Sequence, residues 1–482
     1  MIKLKNHLIK MLSCLAYLSM MGTPAIAKND SKAMLPASDQ DNSDGWVLNE
    51  EVSDEFNGTE IDRDKWHVEG YEGQYHHWKG RAPSQFAGHN AYLKDGKLNI
   101  RTQWEPDFKF ASDKPGGVAY GDPLPVTTAA VIGKKRFLNG YMEARTKAGN
   151  ASMTSAFWAL GYQSELDVYE QIGNPKNKKG NIRETHYTSA IHDWRPNRYE
   201  AQFGKNKTFT NTYDMGVRVA DDFHIYGVEW NEDYLKFYLD GKLTKEISRR
   251  EIGDGWVLSN PMAIWFDSEI FEWLGNPHKE ELPAIYEIDY VRIWQKRDAN
   301  MVDKALFGFE GPIVPDDFIT DVSTDVARRK KGDALQNWNI GKVESKFFSL
   351  DQNRYFNGYR SLKIQTKGPL PSPVVTMSSP KAAVAVPKGR YRITMRVWVQ
   401  PGSTLSAIGL GLPQGKVGEI ITSPIHISAI EKGRWIEVAQ TFEKKNDASP
   451  DDVFTVSIMN KDVGDGTSEI YLDDIIIRTI GP

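Results

Sequence analysis

The chain predicts an all-β protein built from two successive β-sandwiches. Three observations carry this. Short stretches alternate apolar and polar residues at period two, Asp-Gly dipeptides separate such stretches, and no window sustains the 3.6-residue spacing of a long helix. With 482 residues and 40% hydrophobic content, the chain can bury two cores rather than one.

Taken in order, the first element is a leader. Lys3, Lys5 and Lys10 precede the apolar run Met11 to Met21 and the small-residue end Ala25-Ile26-Ala27. That is the pattern of a secretory signal peptide, and the run is too short to anchor the chain in a bilayer. Residues 1–27 are therefore expected to be removed and the protein to be secreted or periplasmic. Cys14, the only cysteine, falls in this segment, so the mature chain has neither a disulfide nor a Cys-based zinc site. Met11-Leu12-Ser13 is a poor lipoprotein box, which argues against a lipid on Cys14. Losing three lysines takes the formal charge of −4 down by three, to −7.

Residues 28–45 are polar and unpatterned, the composition of a disordered leader. A first domain follows over 46–296, with strands expected at Leu98–Thr102, Gly140–Arg145, His224–Trp230 and Leu235–Leu239 and hairpin turns at Asp95-Gly96 and Asp240-Gly241. Residues 297–305 read as a charged linker. The second domain, 306–482, reads as a jelly-roll sandwich: Tyr391, Ile393, Met395, Val397 and Val399 share one face of a strand, and Ile470–Arg478 makes a final one.

Chemistry concentrates in Ser164-Glu165-Leu166-Asp167-Val168-Tyr169-Glu170-Gln171. Side chains alternate faces along a strand, so Glu165 and Asp167 share a face and Glu170 points away unless a bulge intervenes. A bulge between Asp167 and Glu170 is the expectation, because it returns all three acids to one side. Three carboxylates there repel, so one should keep a proton. An ionised and a protonated carboxyl about 5–5.5 Å apart are the nucleophile and proton donor of a retaining glycosidase. An exposed acidic strand is the plainer alternative, but the neighbouring apolar Ser155–Leu160, with Trp158, argues against a solvated edge. Aromatic abundance (14 Trp, 20 Tyr, 20 Phe) suits sugar faces, while 60 basic against 64 acidic residues without a basic run argues against nucleic-acid or polybasic membrane partners.

With Asp54-Glu55-Phe56-Asn57-Gly58, Lys65-Trp66, Phe223–Tyr226, Glu229-Trp230, Phe237–Gly241 and Ile288–Trp294, the acid segment resembles glycoside hydrolase family 16. The resemblance implies a concanavalin-like jelly roll and endo-acting, retaining cleavage of a β-linked polysaccharide. It implies Glu165 as nucleophile, Glu170 as general acid/base and Asp167 as assisting acid. Trp78 to Phe86 is similar to a cleft-wall segment of agarase and porphyranase members, implying Trp78 as a stacking platform and Arg81 as a polar contact. Arg183 to Arg195 is similar to the strand after the catalytic one in galactan-cleaving members; His192 is the candidate for a sugar or proton-network contact and His186 for a structural role. Trp158, Trp194, Arg195 and Trp273 complete the substrate-binding candidates, and Lys79, Arg183, Arg195 and Arg198 are candidate partners for sulfate esters.

Agar or porphyran is the expected substrate, with carrageenan or a β-1,3-glucan such as laminarin as alternatives and a non-catalytic lectin as a different class. Residues 306–482 resemble, more loosely, galactose-binding-like modules, through Phe307–Glu310, Asn357–Leu362 and Tyr471–Ile475. That implies either polysaccharide binding or a structural cap, with no binding residue singled out. No cofactor and no metal at the acids are expected; a structural calcium is an option whose ligands the sequence does not identify. The expected state is a monomer whose partner is the polysaccharide.

Overall fold

The computed structural model describes residues 34–480 apart from 113–116, 162–163, 178–181, 195–206, 260, 297–302, 310–337, 343, 358–359, 380–387, 412–423, 448, 450–451 and 461–466. The expected signal peptide, Arg195 and Arg198 thus lie outside the described residues. Among the described residues the one α-helix is the four-residue turn Arg249–Ile252, and no helix is long and apolar enough to cross a membrane.

The first sandwich has two sheets, antiparallel except for the short parallel pair of Gln85–Phe86 with Val126–Thr128. The sheet that carries the acids contains β1 (Trp66–Val68), β2 (Ala130–Phe137), β3 (Thr154–Gly161), β4 (Ser164–Ile172), β5 (His186–Asp193), β6 (Lys207–Asp214) and β7 (Met262–Asp267). Their order across the sheet is β6-β5-β4-β3-β7-β2-β1. The facing sheet is built on Gly140–Lys147, His224–Trp230 and Ala284–Lys296. Both expected hairpins are present: Asp95 and Gly96 have φ of 53° and 67°, and Asp240 and Gly241 have 48° and 75°, the left-handed pair that a tight two-residue turn requires.

Between the sheets lies one continuous core. Leu166, Val168, Phe157 and Phe266 from the acid-bearing sheet meet Met142, Val228, Val291 and Ile293 from the other. Phe157 on β3 and Phe266 on β7 stack at 4.9 Å, and Phe157 meets Tyr169 of the acid strand at 6.1 Å. Burial of each such ring stabilises by about 1.5–3 kcal/mol, so the strand's inner side is firmly held. Tyr169 is the polar exception, and its hydroxyl is satisfied by Thr146 at 2.5 Å and Tyr286 at 2.6 Å.

The second sandwich pairs a six-stranded with a five-stranded sheet. Tyr391, Ile393, Met395, Val397 and Val399 all point into its core, as their alternation requires. Two sequence expectations are corrected. Residues 34–45, read as a disordered leader, lie against the first sandwich: Met34 accepts from Trp294 Nε1 at 2.5 Å and the Ala37 amide donates to Glu143 at 2.9 Å. Polar composition hid this, because the contacts use main-chain groups that any residue carries. Residues 303–305, read as linker, already belong to the strand Asp303–Phe307, which pairs with Ser468–Thr479.

The sandwiches are joined by a buried polar contact. Arg249, fully buried, donates from Nη1 to Asp474 at 2.7 Å and from Nη2 to the Gly308 carbonyl at 3.3 Å. Ile476, on the outer face of the second sandwich, packs into the first core.

Candidate active site

The bulge in β4 builds the site. Against β3, Asp167 pairs with Trp158 but Tyr169 pairs with Phe157, so one residue is skipped. Val168 and Tyr169 consequently both enter the core, at 2% and 0% exposure, which strict alternation forbids. Glu165, Asp167 and Glu170 then share the opposite face. Ser189 on β5 holds the bulge by donating to the Val168 carbonyl at 2.7 Å.

Cross-strand register assembles the neighbours in rows. Glu165 lies opposite His192 on β5 and Leu160 on β3; Asp167 lies beside Trp158, which faces Trp265 on β7; Glu170 lies beside Ala156, which faces Asp267. His192 Nε2 is 3.0 Å from Asp167 Oδ2 and 3.6 Å from Glu165 Oε1. Trp194 stacks on His192 at 5.5 Å and donates its indole N–H to Glu165 Oε2 at 2.9 Å. Asp167 therefore bonds to His192, and His192 bridges the two acids.

Charge follows from this geometry. Burial works against an imidazolium at His192, but the carboxylates of Glu165 and Asp167 overcome it and push the pKa up to about 9. The imidazole of His192 thus stands between the carboxyl groups of Glu165 and Asp167. Glu170 is pushed up to about 7, by burial first and the Asp167 charge second. Asp267 is raised well above the usual carboxylate range by burial, Glu269 and Glu170, and it accepts from Trp158 Nε1 at 3.2 Å. Glu165, Asp167 and His192 also form the one group of potential metal-ligand atoms within 4.8 Å of one another among the described residues.

Arg81 closes one side. Its Nε donates to Glu269 at 3.1 Å, and its guanidinium lies 5.1 Å over Phe271, 5.8 Å over Trp273 and 6.0 Å over Trp78. The side chain remains 42% exposed, so its remaining donors can meet solvent or substrate. Gly80 makes the preceding turn at φ 101°, where an added Cβ would sit 3.1 Å from the Phe86 nitrogen.

Of the sequence candidates, Glu165, Asp167, Glu170, His192 and Trp194 come together in one cluster, and Trp78, Arg81 and Trp273 form a second group linked to it through Glu269 and Asp267. Trp273 is 47% exposed and stacked on Phe271 at 4.4 Å. Trp158 is only 8% exposed and lies 4.5 Å from Trp265, so it forms floor beneath the acids instead of an open platform. His186 stands apart, with Nε2 3.4 Å from Asp214. Sequence reasoning missed Asp267 and Glu269. The signal was present in Trp265-Phe266-Asp267-Ser268-Glu269, whose alternation puts Asp267 beside Trp265 and across from the core-facing Phe266.

Comparison with known proteins bears on this arrangement. Residues 46–296 match the family profile described as "Beta-porphyranase A-D, GH16 domain". A β-porphyranase B of Phocaeicola plebeius is 30% identical over 261 residues, covering 47% of this chain and 76% of that protein. A β-porphyranase B of Zobellia galactanivorans is 28% identical over 280 residues, 53% of this chain and 86% of that protein. The crystal structure of porphyranase B from Zobellia galactanivorans, at 27% identity, covers 52% of this chain and 92% of its own, with a TM-score of 0.42.

Proposed function

The chain belongs to the GH16 family of β-porphyranases A–D, and from that premise we propose that it is a secreted endo-hydrolase of β-linked red-algal galactan, porphyran or agar, acting with retention. The observation that carries the mechanism is the bulge, which sets Glu165 and Glu170 on one face in different electrostatic settings. Glu165 receives a hydrogen bond from Trp194 and faces the His192 cation, which favours the carboxylate. Glu170, raised to about 7, is a carboxylic acid poised near working pH.

In the first step Glu165 attacks the anomeric carbon while Glu170 gives its proton to the glycosidic oxygen. The carbon–oxygen bond breaks and a glycosyl ester forms on Glu165. Glu170, now a carboxylate, takes a proton from water, whose oxygen attacks the same carbon and releases Glu165. Two inversions give net retention, and Glu170 ends protonated as it began. Asp167 and His192 hold Glu165 in place and stabilise its return as a leaving carboxylate. Carboxylates and water account for every bond change, so the proposal includes neither cofactor nor metal.

A galactan is favoured by similarity to relatives named β-porphyranase and by Arg81, a partly exposed guanidinium suited to an oxyanion. The test is reducing-sugar release from porphyran, agarose, carrageenans and laminarin side by side, for the parent and Glu165→Gln. Porphyran or agarose should be cut fastest, and the variant should lose at least about a thousandfold. Preferential release from laminarin would overturn the substrate; undiminished activity in Glu165→Gln would overturn the nucleophile.

A further inference from the structure

The water-facing side of the six-stranded sheet in the second sandwich carries an aromatic row. Across neighbouring strands, Trp435, Trp398, Tyr471 and Lys363 stand side by side in register. These positions alternate with the core-facing Val397 and Leu472, so the rings point outward. Phe356, 42% exposed, extends the row from the preceding loop. Trp435 stands between Phe356 and Trp398, 6.0 and 6.1 Å away and nearly perpendicular to both. Tyr471 is covered, at 3% exposure, while Trp398 and Trp435 are half-buried and Phe356 is exposed, so the open part of the row is an apolar step with a polar rim.

Cations sit on this step. Arg354 lies 4.3 Å over the Trp398 ring and 5.1 Å over Tyr471, while Arg396 lies 4.4 Å over Phe356. Arg396 is paired with Glu437 at 2.8 Å, and the Tyr471 hydroxyl, helped by nearby Arg354, holds the Glu469 carboxyl below the usual range. The Trp398 indole N–H is buried without a hydrogen-bond partner among the described residues, a donor awaiting an acceptor.

The same outer face docks the catalytic sandwich. Ile476 and Arg478 lie further along it, one in the first core and the other 3.3 Å from Glu232. Amides of Phe356 and Asn357 donate to Asp473 at 2.8 and 3.2 Å, and the Asn357 side chain bonds to Asp233 of the catalytic sandwich. The aromatic step is thus fixed to the catalytic body and continues from the established junction.

We propose that Trp435, Trp398 and Phe356, with Arg354 and Arg396, form a binding site for an anionic polysaccharide chain, a sulfated galactan of the class taken by the cleft. Pyranose faces pack in the angle between the perpendicular rings, and sulfate oxygens meet the two guanidinium groups. When Arg354 turns to a sulfate it uncovers Trp398 and its indole N–H. The site keeps the enzyme on its polymer between cleavages. The identity of the polymer rests on the galactan reading; the location of the site does not.

Full-length Glu165→Gln, which cannot consume the ligand, is run in native gels containing porphyran, desulfated porphyran, agarose or laminarin. Retardation is expected to be strongest in porphyran and to weaken on the order of tenfold in Trp435→Ala and severalfold in Arg354→Gln. Trp435 is on an edge strand and Arg354 in a loop, so far-UV circular dichroism and Tm should stay close to those of the parent. In the parent background the two substitutions should leave cleavage of short oligosaccharides intact while slowing attack on polymer. Retardation unaffected by either substitution in every gel overturns the site, as does the absence of retardation in all of them. Equal retardation in porphyran and its desulfated form overturns the anionic ligand. Retardation that depends on Trp435 only in laminarin overturns the galactan while leaving the site in place.

Discussion

Glu170 is the residue on which chemistry and stability pull in opposite directions. Its pKa of about 7 in the fold exceeds that of an unfolded glutamate, so folding favours its protonated form. Stability from this term is full below the unfolded value and lost as pH rises through about 7. Activity follows the same proton, since the leaving oxygen needs an acid: kcat/KM should fall tenfold per pH unit above about pH 7. Glu143, buried and likewise raised to about 7, loses stability in the same window without touching the cluster. Glu170→Gln separates the two effects. It should lower kcat/KM by about 10²–10⁴ yet raise Tm at pH 8.5 relative to the parent, by differential scanning calorimetry. A Tm unchanged at pH 8.5 would mean that the carboxyl ionises in the fold as it does in the unfolded chain. The three acids were legible in the sequence as residue types, and so was the need for one proton. The His192 bridge was not, because it depends on cross-strand register: Glu165 and His192 are 27 positions apart and become neighbours only when β4 and β5 pair.

At the scale of the element, β4 works because it breaks its own alternation. Leu166, Val168 and Tyr169 fill the core, and the surplus residue between Asp167 and Glu170 turns the second glutamate back to the cleft. The spacing Glu-x-Asp-x-x-Glu made this bulge readable in advance, since no regular strand places those three acids together. Hairpin turns were equally readable, because Asp-Gly supplies the positive φ that a two-residue turn demands. The order of strands was not, since β7 and β2 join the sheet by long-range pairing that no local pattern records. Deleting Val168 restores strict alternation. The acids then stand at i, i+2 and i+4, so Glu170 should stay on the cleft face and Tyr169 in the core, hydrolysis should remain measurable, and Tm should fall by several degrees as the Val168 side chain leaves the core. A folded deletion variant without measurable hydrolysis would show that the bulge does more than choose the face on which the second acid stands.

For the whole molecule, the unit is the pair of sandwiches. Arg249 is buried between them and neutralised by Asp474, with Arg478 and Glu232 as a more exposed second contact. Breaking such a pair from one side leaves a buried charge, so Arg249→Met should cost about 3–5 kcal/mol in urea unfolding. Asp474 has a φ of 40°, a conformation that asparagine tolerates, and Arg249→Met with Asp474→Asn should recover part of that loss. Additive losses in the double variant would show that the two side chains are not coupled. None of this was legible beforehand: the sequence marked two domains by their strand patterns, but a junction made of a few scattered polar pairs and one isoleucine has no signature of composition.

Double displacement by Glu165 and Glu170 is read most directly from proton NMR of the anomeric signals during the first minutes of hydrolysis of a β-linked galacto-oligosaccharide. The β-anomer should appear first, with the α-anomer growing only at the rate of mutarotation. Initial appearance of the α-anomer would contradict the account, because it would mean a single displacement by water with no glycosyl ester on Glu165.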